Sequence, residues 1–406
     1  MIIHIPKGFL FAGICSGIKK DFRKDLGLIF SSSLATVASV FTENSFQASP
    51  VIVSRERLKK SGSKTRAILV NSGNANCGLG ERGIKDALKI SKLLEERLKL
   101  KESEILLAST GVIGEPLPVE KICQALPKLV SKLSEDGWED FAQAIMTTDS
   151  KEKISSYAFK VSGKKVSILG FAKGAGMIQP HLATMLAFIL TDAQVSARPL
   201  KMLLKKAVAE SFNRITVEGD TSTNDTVFAL ANGASGVKLN PDLAEWEEFE
   251  KGFIKVCKEL ARKIVEDGEG ATKWFVVQVK GARSESDAEK IARKIANSPL
   301  VKTAIYASDP NWGRIIASAG GAGVKFNSSK IKLIFEEPES KRRIVVLKNG
   351  AVINEYLRKG EQKAKSILKK SGFKIILELG EGREEFEVLT CDLTEAYIRI
   401  NAEYRS

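Results

Sequence analysis

Two short apolar runs constrain the fold most: Ala67-Ile-Leu-Val70 and Ile105-Leu-Leu-Ala108. Each has the length of a buried strand, and each empties straight into a polar, glycine-containing loop. The first is followed by Asn71-Ser-Gly-Asn-Ala-Asn76, the second by Ser109-Thr110-Gly111. Between them, Ile84, Leu88, Leu94 and Leu98 recur near helical spacing and predict an amphipathic helix over 81–98. Strand, helix and strand in succession call for a layered α/β fold, with sheets covered by helices.

The alternation continues down the chain. A helix is expected over 119–133, and a hairpin over 153–160 and 165–171 around Ser162-Gly163. The glycine-rich loop Lys173-Gly-Ala-Gly-Met-Ile-Gln-Pro180 then leads into a short apolar strand that begins at Thr184. Further helices are expected over 199–212, 241–267 and 286–297, and strands over 274–279 and 301–306. Beyond about residue 330 the pattern turns to strands, over 331–335, 343–347, 374–379, 385–389 and 397–401, with one helix near 355–370. Residues 331–406 are therefore read as a smaller C-terminal α+β unit.

Composition excludes several classes. A chain of 406 residues with 43% hydrophobic content is too long for one ordinary core and too apolar to be disordered. The longest apolar run, Met185 to Leu190, falls far short of the roughly 20 residues that span a bilayer. The stretch after Lys7, Gly8 to Cys15, is broken by glycines and lacks the small-residue cleavage site of a secretory signal. The 5 cysteines are scattered, with no C-x-x-C pair, which suits free thiols in a reducing compartment, so the cytoplasm is expected. The net charge of +14 raises nucleic-acid binding as an alternative. However, lysines and glutamates interleave along the expected helices, as in Glu95 to Glu102, and such charge is read as a solvated surface. A nucleic-acid or membrane partner is not expected.

Catalytic motifs narrow the choice further. His4 and His181 are the only histidines, and no H-E-x-x-H or cysteine cluster is present, so no metal is expected. No G-x-S-x-G elbow occurs. Gly78-Leu-Gly-Glu-Arg-Gly83 fits G-x-G-x-x-G, but the loop from Asn71 to Cys77 separates it from its strand, unlike a dinucleotide site. No cofactor is expected. Ala183-Thr184 is different in kind. A hydroxyl at the head of an apolar strand, after a tiny residue and a glycine-rich loop, suits a self-cleaving nucleophile. Its attack on the Ala183 carbonyl gives an ester that water opens. Thr184 then carries a free α-amine, with a reference pKa of about 7.7–8.0, able to take the proton of its own hydroxyl. A threonine that merely opens an ordinary strand is the alternative.

The stretch KGAGMIQPHLATMLAFILTDA, from Lys173 to Ala193, resembles the signature of the bifunctional ornithine acetyltransferase/N-acetylglutamate synthase family, the ArgJ proteins of arginine biosynthesis. PKGFLFAGICSGIKK (from Pro6), NSGNAN (from Asn71), ASTGVIG (from Ala108), TTD (from Thr147), EGDTSTNDT (from Glu218), GEGATK (from Gly268), DPNWGRI (from Asp309) and the ending INAEYRS resemble it too. They stand in the family's order along essentially the full chain.

The resemblance implies stacked layers with helices outside, an N-terminal-nucleophile-like arrangement of distinct topology. It implies self-cleavage between Ala183 and Thr184, giving an α chain of residues 1–183 and a β chain of residues 184–406. Within the latter, 184–330 would complete the catalytic layers. Two α and two β chains would form a heterotetramer. Thr184 would be the nucleophile, and Thr110 and Gly111 the oxyanion pair. Thr147, Lys173, Thr184, Glu269, Asn401 and Ser406 would contact substrate. His181-Leu182 stands where the family often has Asn or His followed by Met, so His181 is read as a structural or cleavage-environment residue rather than a base. The implied reaction moves acetyl from N-acetylornithine to glutamate through an acetyl-Thr184 ester. Members that also use acetyl-CoA carry out the first pathway step, and both variants stay open here. An N-terminal-nucleophile amidohydrolase or aminopeptidase, which passes its acyl group to water, is the rival enzyme.

Overall fold

The computed structural model describes residues 2–179 and 185–403. It divides into two compact units. Among the described residues, one comprises the chain up to Asn213 together with Asp220–Ile264; the other comprises Arg214–Gly219 and residues 265–403.

The first unit carries β1 (Phe9–Ile14), β2 (Leu26–Phe41), β3 (Lys64–Asn74), β4 (Ile105–Val112), β5 (Lys153–Val161), β6 (Lys164–Lys173), β7 (Leu186–Thr191), β8 (Gln194–Val195), β9 (Thr226–Ala231) and β10 (Lys238–Leu239). An 8-stranded sheet runs β4-β3-β2-β9-β7-β6-β5, with β1 also paired to β2; β8 and β10 form a small parallel pair. The long β2 strand joins the two halves of this sheet. Its first part, from Leu26 to Phe30, pairs with β1 and β3, and its last part, from Thr36 to Phe41, pairs with β9. Between Phe30 and Ala35 the register shifts and Ser32, Ser33 and Leu34 are exposed. Such a bulge bends a strand and increases its local twist.

The bend lets the sheet fold back on itself as two stacked layers. Phe11 of β1 lies 5.5 Å, ring to ring, from Phe171 of β6, although the two strands are not neighbours in the sheet. Phe141 fills the same interior, with ring centroids 5.2 Å from Phe171 and 5.5 Å from Phe188. Each such ring removed from water contributes about 1.5–3 kcal/mol. The central strands are buried on both faces, and β7 is buried at every residue.

Among the described residues, these strands are accompanied by α1 (Ser49–Ser61), α2 (Glu81–Leu98), α3 (Val119–Ser131), α4 (Trp138–Ala144), α5 (Ala197–Glu210) and α6 (Glu245–Glu266). Leu94 of α2 and Leu126 and Leu129 of α3 pack over Leu28, Leu69 and Leu107 of the sheet. On the other layer Gly170 of β6 makes room for α6, since a Cβ there would stand 2.6 Å from Val256 and 2.7 Å from Leu260.

The second unit holds a 6-stranded sheet of order β14-β13-β12-β15-β11-β16. Its strands are β11 (Trp274–Ala282), β12 (Lys332–Glu337), β13 (Arg342–Lys348), β14 (Ala351–Val352), β15 (Gly372–Glu378) and β16 (Glu384–Cys391). Its helices are α7 (Glu285–Ala296), α8 (Pro299–Tyr306), α9 (Trp312–Gly320), α10 (Glu361–Leu368) and α11 (Glu395–Glu403). β11 lies between β15 and β16, so Trp274–Ala282 shares this sheet with the strands beyond residue 330.

Two expected strands are helices. Over 301–306, Val301, Thr303 and Ile305 alternate as a strand would. Yet Ser298 caps the Val301 amide and Pro299 occupies the first turn, so the segment winds into α8. Over 397–401, the Thr394 hydroxyl accepts a hydrogen bond from the Tyr397 amide at 3.2 Å and starts α11. In both, a capping hydroxyl outweighs β-branched alternation.

Candidate active site

The loops expected after the first two strands are continuations of them. β3 and β4 run parallel and stay paired through Ser72–Thr110 and Gly73–Gly111. Gly111 has φ +132°, and a Cβ there would lie 2.3 Å from the Gly73 carbonyl carbon. Only glycine fits. The side-chain amide of Asn224, just before β9, pins this end of the sheet. It donates to the Ser109 carbonyl at 2.9 Å and to the Ala75 carbonyl at 2.7 Å.

Thr110 is buried, and its hydroxyl oxygen accepts a hydrogen bond from Lys173 Nζ at 3.1 Å. Lys173 ends β6, so the contact crosses between the stacked layers. A carboxylate fixes the third corner. Asp149 Oδ1 accepts from the Gly174 amide at 2.6 Å and from Lys153 Nζ at 2.7 Å, while Oδ2 accepts from the Thr147 amide at 2.9 Å. Burial alone would raise the Asp149 pKa; Lys153, Lys173 and the Gly174 amide outweigh it and hold this carboxyl well below the usual carboxylate range. Thr147, Lys173 and Thr110 are thereby joined by one chain of polar contacts.

A second carboxyl stands in the opposite condition. Asp225 immediately precedes β9, and its Oδ1 accepts from the Met185 amide at 2.9 Å. β7 and β9 are parallel with Leu186 opposite Thr226, so the residues just ahead of both strands meet there. Burial pushes the Asp225 pKa well above the carboxylate range, against the opposing effects of the Met185 amide, Lys173 and Ser222. Thr184 is covalently joined to Met185, but Thr184, Ala183, His181 and Ser406 lie outside the described residues.

The loop before β2 reaches the same region. Asp25 accepts from the amides of Ser16, Ile18 and Lys19, at 2.6, 2.7 and 3.0 Å. Lys19 Nζ then donates to the Met146 carbonyl at 2.7 Å, and Arg23 to the Thr147 carbonyl at 3.3 Å. Burial, with the neighbouring Arg23, pushes the Lys19 ammonium down to about 8. In the second unit, Asn401 Nδ2 donates to Glu269 Oε2 at 2.8 Å, which brings two further expected contact residues together. Among the described residues, no group of three or more His, Cys, Asp or Glu side chains is placed to hold a metal, and no helix is long and apolar enough to cross a membrane.

Residues 10–406 match the ArgJ family. This chain belongs to the ArgJ family. It is 46% identical to the arginine biosynthesis bifunctional protein ArgJ of Thermotoga neapolitana over the full length of both chains. It is 44% identical to the protein of the same name from Bacillus cereus, across 100% of this chain and 96% of that one. Among solved structures it is similar to the Bacillus halodurans arginine biosynthesis bifunctional protein argJ, at 39% identity and TM-score 0.49, covering 53% of this chain and 98% of that one. Another is the Mycobacterium tuberculosis ornithine acetyltransferase complexed with ornithine, at 31% identity and TM-score 0.38, covering 44% of this chain and 94% of that one.

Within this ArgJ-family chain, sequence reasoning named Thr110, Gly111, Thr147 and Lys173 but passed over the residues that tie them. Asp149 lies in the flagged string TTD, Asn224 and Asp225 in EGDTSTNDT, and Lys19 in PKGFLFAGICSGIKK. Lys153 carried no signal beyond its place in an expected strand.

Proposed function

We propose that this chain is an acetyltransferase of arginine biosynthesis that passes acetyl from N-acetylornithine to glutamate through an ester on Thr184. Family membership and the names of the relatives support the reaction class. The observation that carries the site assignment is the contact of Lys173 with the Thr110 hydroxyl, at the end of β4 that also holds Gly111.

The chain first cuts itself between Ala183 and Thr184. The new α-amine of Thr184 takes the proton of its own hydroxyl, which attacks the acetyl carbonyl. Negative charge develops on the carbonyl oxygen. The Thr110 hydroxyl and the Gly111 amide meet that charge, each lowering the barrier by roughly 3 kcal/mol as donors in other oxyanion holes do. Ornithine leaves with the returned proton, and the amine of glutamate then attacks the ester. One pocket serves donor and acceptor in turn. Lys173 supplies a cation for a substrate carboxylate, and Thr147 supplies a neutral hydrogen bond. The α and β chains assemble as a heterotetramer in the cytoplasm.

Intact mass spectrometry after brief exposure to N-acetylornithine tests this reading. The fragment beginning Thr-Met-Leu-Ala should gain one acetyl group and lose it on addition of glutamate, with N-acetylglutamate as product. Release of acetate alone would place the chain with the hydrolases, and an unmodified fragment would remove the acyl-enzyme. Acetyl-CoA offered in place of N-acetylornithine tells whether the chain also performs the first pathway step.

A further inference from the structure

We propose that Asp225 is the proton carrier for self-cleavage at Thr184. This rests on the self-cleavage reading above and deepens it. Once cut, the chain has a free α-amine to act as base. Before the cut, that nitrogen is a peptide amide with no basicity to offer, so another group must move the proton.

The Asp225 carboxyl has the required condition. It is 2% exposed, its Oδ1 is held by the Met185 amide at 2.9 Å, and its Oδ2 makes no hydrogen bond of good geometry among the described residues, with Ser222 the polar group beside the carboxyl. A buried carboxyl oxygen without a well-made hydrogen bond is costly and calls for an explanation, of which a catalytic role is one. The Met185 nitrogen is bonded to the carbonyl carbon of Thr184, so this carboxyl is anchored one peptide group from the reacting residue. Asp149, the other buried acid nearby, does not qualify, because Lys153 and the Gly174 and Thr147 amides occupy its two oxygens. Burial favours the neutral acid at Asp225.

The step balances. The Thr184 O–H bond breaks and an ester C–O bond forms at the Ala183 carbonyl carbon; the C–N bond breaks and the nitrogen gains a proton. Asp225 gives its proton to the departing nitrogen and takes the one leaving the hydroxyl, so it ends as it began. Water then hydrolyses the ester, leaving an Ala183 carboxylate and Thr184 with a free amine.

Timed cell-free synthesis of the full chain, read by denaturing electrophoresis, tests this. Asp225→Asn keeps an oxygen to accept from Met185 but cannot exchange a proton; its cutting should slow roughly a hundredfold or more, the usual scale for loss of acid–base catalysis. Asp225→Glu, which keeps the ionisable group, should cut faster than Asp225→Asn. Hydroxylamine, which opens esters, should leave the Asp225→Asn chain whole, because the ester has not formed. Cutting of Asp225→Asn within twofold of wild type, or faster than Asp225→Glu, would overturn the proposal, as would release of two fragments by hydroxylamine. A wild-type chain that stays whole removes the self-cleavage reading and this inference with it. A wild-type chain cut at the same rate as Asp225→Asn removes this inference alone.

Discussion

Lys173 Nζ donates to the Thr110 hydroxyl oxygen at 3.1 Å, and that direction fixes what Thr110 can do. An ammonium has donors only, so the hydroxyl oxygen is the acceptor and its own hydrogen remains to be given elsewhere. A buried hydroxyl polarised by a cation is a strong donor for developing negative charge. Thr110→Ala should therefore lower kcat for acetyl transfer by roughly a hundredfold, whereas Thr110→Ser, which keeps the hydroxyl, should lose far less. Equal losses in the two variants would assign Thr110 to packing.

The Asp149–Lys153 pair lies wholly inside, with side chains 0% and 1% exposed. Removing one partner of such a pair leaves a buried charge uncompensated, at about 3–5 kcal/mol. Asp149→Ala should thus unfold at markedly lower urea concentration than wild type. The sign with pH follows from the lowered pKa of Asp149. Its contribution is fully present above the unfolded carboxyl pKa of about 3.9 and is lost as pH falls through the folded value. Wild type should lose stability as the solution is acidified, and Asp149→Ala should lose less over the same range. Identical acid profiles would refute the assignment.

Gly111 offers a sharper geometric test. A methyl group there meets the Gly73 carbonyl carbon at 2.3 Å and the Asn74 amide nitrogen at 2.4 Å, both backbone atoms that cannot rotate away. Gly111→Ala has to push β3 and β4 apart where Thr110 is held. A drop in melting temperature together with loss of transfer is expected. Gly320, at the end of α9, is the control. A Cβ there meets nothing within 4 Å, so Gly320→Ala should change little.

Local patterning made most elements legible. The helix over 81–98 and the hairpin turn at Ser162-Gly163 stand where apolar spacing and turn residues put them. Less legible was β2. No apolar periodicity marks its stretch Ser31-Ser-Ser-Leu34, yet it is the bulge that bends one sheet into two layers. Sheet order is also a long-range property: β9 lies between β2 and β7 although about 35 residues separate it from β7, and no periodicity encodes such pairing. The site divides in the same way. Thr110, Gly111 and Lys173 sit beside recognisable strand ends. Asp149 and Asp225 act through burial and partners, and the same letter in two similar polar strings has its pKa held low in one and pushed high in the other.

That contrast yields a stability test. Because the folded chain raises the Asp225 pKa, the native state holds more protons than the unfolded state between about pH 4 and the raised value. Stability must then fall as pH rises across that window, which is the reverse of the Asp149 effect. The groups acting on the carboxyl are the Met185 amide, Lys173 and Ser222. Asp225→Asn removes the titration while retaining an acceptor for Met185. Its melting temperature should gain on wild type with rising pH and exceed it near about pH 8 by a few degrees, the shift that roughly 1 kcal/mol produces. Placed on the Thr184→Ala background, which removes the proposed nucleophile from both chains, the comparison excludes differences in processing. Parallel melting profiles from about pH 4 to about pH 8 would mean that Asp225 is ionised in the folded chain, and a carboxylate has no proton to hand to the departing nitrogen.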